Sequence, residues 1–577
     1  MPKNVMKMLK PSPTLGRNAF DESQRNVFAI NFGELLPCYC LETVPHDKIE
    51  IDCANLLRCQ PMITSPFLRA KQHIDFWFVP YSMLWSRWND FITSKSEPNS
   101  AALKDAAFVP HFNIYDVLTS IEGSSDPQSG IGVQYDVFGR DIRFEAYRLL
   151  DLLGYPSYEY FFNVTPPATP PTLKVNAWRL AAYQKIWYSE YRQKYYDDGS
   201  LGLQGKSPAL MFNFDDLSCD QEMNADIYNY RDIAYGSHYA WKYLCMPRFR
   251  CWKKDLFTGL MPSTQFGAVS TVSSPVNFVQ TYLSGQSPAG TDFVGSHLTS
   301  TNPNITNIEN IRNSSGTKVG ELSSYGSFDV LALRKSEALQ KWRENALRAG
   351  NQIEDNYEAH YGVKPKSHLD THPILIGSLD SPINIGDVDA TAETAEPING
   401  TVGSVAGKAI SSINGSTLHF QTNDFGVVMG IMSILPEAEY MSTGIDRMNQ
   451  LLEQFDYFVP EMENLGLEAV DPTTRDIKWY GQNALGYAPR YFGYKTKPDL
   501  CHLQFFNRSG AQGLLRHWCS PQQLYTGNTL RGLYVNYAVY NVNFDTNASD
   551  NVPNFIVDHY TKCTAIRPMS VSGVPGY

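Results

Sequence analysis

The feature that most constrains this chain is a period-two alternation of large apolar side chains in windows far apart in sequence. In Ile74-Asp75-Phe76-Trp77-Phe78-Val79, one face carries Ile74, Phe76 and Phe78. From Phe425 to Ser433, Phe425, Val427, Met429 and Ile431 share a face, while Gly426 and Gly430 leave room on the other. From Leu533 to Tyr540, aromatic or aliphatic residues occupy both faces. Side chains of a strand point alternately to opposite faces, so these windows predict strands. A strand apolar on both sides needs cover on both sides: its own sandwich on one, a neighbour or loop on the other.

Further strands are predicted at Val27–Phe32, Lys48–Cys53, Phe455–Val459 and Asn554–His559. They lie at both ends of the chain with long irregular stretches between. That spread predicts one mainly β domain, a β-sandwich over residues 27–577 with large insertions, rather than a string of small domains. The insertions are expected at about 95–260, partly helical, and at 263–324 and 378–423. The last two are rich in Ser, Thr, Asn and Gly and are read as surface excursions.

Helices are few. Asp141–Leu153 sets Ile142, Ala146, Leu149, Leu150 and Leu153 at helical spacing, with Gly154 as the C-terminal stop. Asn176–Tyr196 aligns Leu180, Tyr183, Trp187, Tyr191 and Tyr195 in one stripe, read as core before base-stacking surface. Asp329 is the expected N-cap of a helix from Val330 to about Arg348, whose mixed charges predict a solvated face.

Composition supports the β reading, with 34 Tyr and 30 Phe in 577 residues. Such rings favour strands and protein–protein interfaces. The net charge of −11 argues against a surface broadly coated with nucleic-acid-binding charge. The distribution says more. Residues 1–20 carry Lys3, Lys7, Lys10 and Arg17 and no acidic side chain, so residues 1–26 read as a basic arm. Either it is a solubilising terminus, or its cations touch phosphates.

Motifs of catalysis and metal binding are missing. There is no HExxH, no GxSxG, no dinucleotide fingerprint and no CxxC pair among the ten cysteines. Cys219, Cys501 and Cys563 read as reduced, half-buried small apolar residues. Gly403 to Lys408 departs from a phosphate loop at Val402 and Ala409. His360, His368 and His372 read as loop histidines, and His517-Trp518-Cys519 as core. No signal peptide is evident, and no stretch approaches the roughly 20 apolar residues that span a bilayer. No enzyme, cofactor or metal is expected, and the chain is expected in a reducing cytosol before release.

Six blocks, in order, resemble a known family. Phe76-Trp77-Phe78-Val79-Pro80-Tyr81-Ser82-Met83-Leu84-Trp85 is an aromatic strand, a Val-Pro-Tyr break and a Leu-Trp pair. Then come Ala182-Tyr183-Gln184-Lys185-Ile186-Trp187, Lys254-Asp255-Leu256-Phe257-Thr258, Gly430-Ile431-Met432-Ser433-Ile434-Leu435-Pro436 and Tyr487-Ala488-Pro489-Arg490-Tyr491. The end, Arg567-Pro568 through Gly573-Val574-Pro575-Gly576, completes the series. Together they are similar to the major capsid proteins of the microviruses (Microviridae), especially the gokushovirus-like branch. Leu256 stands where that family usually has Tyr, and the match is weakest in Asp126–Pro171 and Ser263–Ser324.

The resemblance implies a viral jelly roll, eight antiparallel strands in two sheets, whose sixty copies close a T=1 icosahedral bacteriophage capsid around circular single-stranded DNA. It implies as partners the virus's small basic DNA-binding and pilot proteins, with Ser263–Ser324 as an outward insertion for host attachment to a cell-surface receptor. The phosphate-contacting candidates are Lys3, Lys7, Lys10 and Arg17. A glycan-binding β-sandwich, with or without hydrolase activity, is the alternative from another class.

Overall fold

The computed structural model describes residues 16–85, 88–93, 109–114, 117–118, 142–156, 173–193, 195–196, 245–265, 267, 310–312, 318–321, 330–349, 353–362, 372–389, 405–414, 417–502, 505, 534–535, 540–544 and 553–571. The described part is mainly β. Two antiparallel sheets dominate it. The strands are β1 (Asn18–Asp21), β2 (Gln24–Ile30), β3 (Glu34–Thr43), β4 (Lys48–Cys59), β5 (Ala70–Pro80), β6 (Ile374–Pro382), β7 (Asn384–Asp389), β8 (Val405–Asn414), β9 (Leu418–Gln421), β10 (Gly426–Pro436) and β11 (Phe555–Arg567).

One sheet runs β1–β11–β4–β8–β7, with β2 also on β11 and β9 also on β4. The other runs β6–β5–β10–β3 and ends on the short strand Arg248–Phe249. Successive strands β3, β4 and β5 change sheet each time, and β6, β8 and β10 do the same. The sequence explains why they must. In β4, Ile49, Ile51, Cys53 and Leu57 are buried while Glu50, Ala54 and Arg58 face out. β11 repeats that with Phe555, Val557, Cys563 and Ala565, in register with β4 so that Val557 faces Leu57 and Cys563 faces Ile51. Each such face excludes water only against another apolar face. Ile74, Phe76 and Phe78 of β5, Val428 and Met432 of β10 and Leu36 of β3 supply it in one shared core.

The Ile74–Val79 and Phe425–Ser433 windows fall on strands β5 and β10 as predicted, but the second sheet is buried on both sides rather than half-buried. Its outer face carries Leu35, Trp77, Val79, Val427, Met429 and Ile431. Two inserted helices cover that face: α1 (Ile142–Leu152) and α2 (Trp178–Ile186), which runs on as a π-helical turn, Trp187–Tyr191. Leu149, Leu150, Tyr183 and Trp187 are buried in the same cluster. The aromatic stripe of α2 is therefore core, and Gly154 follows α1 with a positive φ of 84°. At Gly430 the neighbours leave no room for a side chain: a Cβ there would lie 2.8 Å from the Phe76 ring and 3.1 Å from Cys38 Sγ.

Two predictions fail. The segment 378–423 is not a surface loop, because the described part of it holds the end of β6 and all of β7, β8 and β9, with Ala409 and Ile413 buried. Polar composition hid these strands, since even inward positions of β8 are filled by Gly407, Ala409 and Ser411 as well as Ile413. Phe455–Val459 is not a strand either. Gln454–Asp456 is a 3-10 turn closed by a capping box between Glu453 and Asp456. The Leu533–Tyr540 window lies mostly outside the described residues; within it, Tyr534 forms a bridge with Cys251.

Ser263–Pro365 is a second compact unit, and it begins where the polar 263–324 segment begins. Its described residues form a short antiparallel pair, Asn310–Arg312 with Lys318–Glu321, and two helices, α3 (Val330–Ala349) and α4 (Ile353–Tyr361). Arg334, Lys335, Glu337 and Lys341 of α3 are solvated, as their mixed signs predict. Asp329 lies outside the described residues.

Candidate functional site

The chemistry-bearing side chains that this fold gathers sit where the inserted helices meet the double-covered sheet. Asp75 is on β5 and is buried. Its Oδ2 accepts from the Tyr191 hydroxyl at 2.7 Å and from Arg250 Nη1 at 3.2 Å. Tyr191 accepts in turn from Trp77 Nε1 at 3.0 Å, and Arg250 Nη1 donates to Ser433 Oγ at 2.9 Å. Asp75, Trp77, Tyr191 and Arg250, with Glu190, Cys251, Leu375 and Ser378, border a pocket of about 280 Å³. Burial, and next the Asp75 carboxylate, push the Tyr191 phenol well above its ordinary range, so it stays a donor. Nearby His73 is pushed down to about 4, by burial first and then by Arg250.

The polar groups of Asp75, Tyr191, Trp77, Arg250 and Ser433 are each spent on a neighbour. A nucleophile needs a free lone pair and a base beside it. Asp75 instead holds a phenol and a guanidinium, and Cys251 Sγ donates to the Tyr191 carbonyl at 3.2 Å. The arrangement fastens one layer to another. Two similar ties flank it. Arg148 of α1 bridges to Glu34 at 2.5 Å and Glu145 at 2.9 Å, and Glu34 is fully buried at the start of β3. Arg179 of α2 makes a two-toothed bridge to Glu42 at 2.7 and 3.0 Å. Between the sheets, Asn55 of β4 donates to Gln72 of β5 at 2.7 Å, and Gln72 donates to Ser411 of β8 at 2.8 Å.

The sequence did not single out these groups, because partners such as Asp75 and Arg250 are far apart in the chain. The stripe residue Tyr183 shows the same logic: its hydroxyl donates to the Leu35 carbonyl and accepts from Arg248 N–H, each at 2.8 Å.

Of the candidate phosphate contacts, Lys3, Lys7 and Lys10 lie outside the described residues. Arg17 is exposed, one residue before β1. The four are thus not brought together within the described chain. His368 and His517-Trp518-Cys519 also lie outside it. His360 is not a loop histidine but lies in helix α4, where it stacks on Trp342 with centroids 5.6 Å apart; among the described residues no cluster of His, Cys, Asp and Glu is arranged to hold a metal ion. Lys408, at the end of the phosphate-loop-like stretch, is inside β8. Cys501 and Cys563 are in no disulfide and are buried, not half-buried, and Cys219 lies outside the described residues. Burial raises Cys40 and Cys53 to about 12, so neither is a thiolate at neutral pH. Among the described residues, no helix is long and apolar enough to cross a membrane.

Comparison with known proteins is consistent along nearly the whole chain. The family model described as "Capsid protein (F protein)" matches residues 10–126 and 153–577. The chain is 25% identical to "Capsid protein VP1" of Chlamydia phage 1, over 98% of this chain and 96% of that protein. It is 21% identical to "Capsid protein VP1" of Bdellovibrio phage phiMH2K, again over 98% and 96%. The protein of the same name from Spiroplasma virus 4 is 21% identical over 96% and 94%. The break in the family match, 127–152, falls within the stretch where the sequence blocks are weakest.

Proposed function

From a chain that belongs to the capsid protein (F protein) family of the microviruses, we infer a structural subunit and not an enzyme: its copies assemble into the shell of the virion. The observation that carries this reading is the family match over residues 10–126 and 153–577. The ties described above support it, since they rivet inserted layers to the sandwich and leave no free catalytic pair among themselves. A shell subunit needs that rigidity. Each contact repeats identically around a closed particle, and an error in subunit shape is multiplied at every copy.

The finer picture belongs to the same proposal. The two sheets form the jelly roll, and sixty copies close a T=1 shell around circular single-stranded DNA. Lys3, Lys7, Lys10 and Arg17 contact phosphates, with the virus's small basic proteins and pilot proteins as companions. The Ser263–Ser324 insertion, polar and low in charge, contacts the host surface. Negative-stain microscopy and nuclease protection test the reading on the protein expressed with its viral companions. Hollow particles tens of nanometres across that shield DNA are expected. Monomers that bind sugars and never enclose DNA would overturn it in favour of the glycan-binding alternative.

A further inference from the structure

A run of large apolar side chains is exposed between Leu451 and Lys495. Leu452 is 87% exposed, Leu465 64% and Phe455 55%, and Tyr457, Phe458 and Tyr494 are about half exposed. They are not loose. The Asp456 carboxylate accepts from the backbone N–H groups of Leu452 and Glu453, both at 3.0 Å. The Phe458 ring packs edge-on against Tyr491 at 5.2 Å, and the Tyr491 hydroxyl accepts from Val459 N–H at 3.2 Å. Tyr491 and Phe492 are themselves buried, and Lys495 bridges to Glu463 at 3.7 Å. The chain is pinned so that its rings point at solvent.

Side chains of this size, half exposed, each show roughly 100 Å² of mostly apolar surface, so the six present on the order of 600 Å². That is at the upper end of what an ordinary monomer exposes in one patch, roughly 300–600 Å². It is also most of the ~800 Å² that one partner brings to a standard interface. Glu453, Asp456, Glu461 and Glu463 lie among the rings. This sign disfavours the polyanionic genome as the occupant, and permanent contacts between copies are the more apolar class of interface.

We propose that this block, centred on Leu452, Phe455, Tyr457 and Phe458, is a subunit–subunit contact whose partner is a second copy of this chain. It rests on the capsid reading and adds the location of a contact. The test is the double substitution Leu452→Asp/Phe455→Asp, made in the full chain co-expressed with the virus's other structural proteins, beside the wild type. The expected result is a soluble subunit with the wild-type melting temperature and a particle yield at least tenfold lower. Particles at wild-type yield would overturn the proposal, whereas a wild type that forms none overturns the capsid reading instead. Should the variant not accumulate folded, hydroxyl-radical footprinting of the wild type decides. Phe455, Tyr457 and Tyr494 are expected to be labelled in the free subunit and protected at least fivefold in particles; equal labelling overturns the proposal.

Discussion

The Tyr191 hydroxyl donates a 2.7 Å hydrogen bond to Asp75 Oδ2, joining the last turn of an inserted helix to the central region of a sheet strand 116 residues away. Because Arg250 shares that carboxylate oxygen at 3.2 Å, three distant pieces of chain depend on one buried charge. Removing the phenol's donor alone, Tyr191→Phe, is expected to cost about 1–2 kcal/mol. Asp75→Ala strands Arg250 and is expected to cost about 3 kcal/mol. Denaturant titration of the unassembled subunit measures both, and equal small losses would refute the hub role of Asp75.

Glu34 is fully buried and its carboxylate is met by Arg148. Arg148→Ala is therefore expected to destabilise the subunit by about 3–5 kcal/mol, the range for orphaning a buried charge. Adding Glu34→Gln should return part of that loss, because no full charge is then left dry. A double-mutant cycle on melting curves provides the check.

Gly430 tolerates no side chain without movement of Phe76. Gly430→Ala is expected to lose roughly 1–3 kcal/mol by overpacking. Phe76→Leu in the same chain should recover part of it by clearing the 2.8 Å approach. The comparison of melting midpoints reads this directly.

His559 sits in the sandwich core with Nε2 2.7 Å from Thr561 Oγ1, and burial pushes its pKa down to about 4. His73 is also held at about 4. Both are neutral in the folded state near neutrality. As pH falls below the ordinary value of 6.5, the unfolded chain takes up protons that the folded chain refuses, so stability drops until pH nears 4. The loss from His559 is of order 2–3 kcal/mol across that window. Melting temperature against pH should fall between 6.5 and 4, and His559→Gln should flatten the slope.

If Lys3, Lys7, Lys10 and Arg17 contact the genome, replacing all four by Gln should lower DNA retention and make it less salt-sensitive. The expected change in the logarithmic salt slope is about 0.7 per cation lost on single-stranded DNA. Nuclease protection across a salt series measures it, and an unchanged slope would leave the arm a solubilising terminus.

The alternation in 74–79 and 425–433 determined by itself that these segments are strands with an apolar face, because side-chain direction in a strand follows from backbone geometry alone. The helical spacing of Leu149, Leu150, Tyr183 and Trp187 likewise identified two helices with buried stripes, and only the structure showed that they cover the sheet. Which groups meet was decided only by the tertiary structure. Asp75, Tyr191 and Arg250 are unremarkable in their local windows, and what makes them matter is burial together, a property of contacts far apart in sequence. The same holds for the missed strands β7 and β8. Their polar, Ser- and Gly-rich residues look like loop until hydrogen bonds to β4 and to each other show that backbone pairing, indifferent to side-chain polarity on the solvated face, holds them in the sheet.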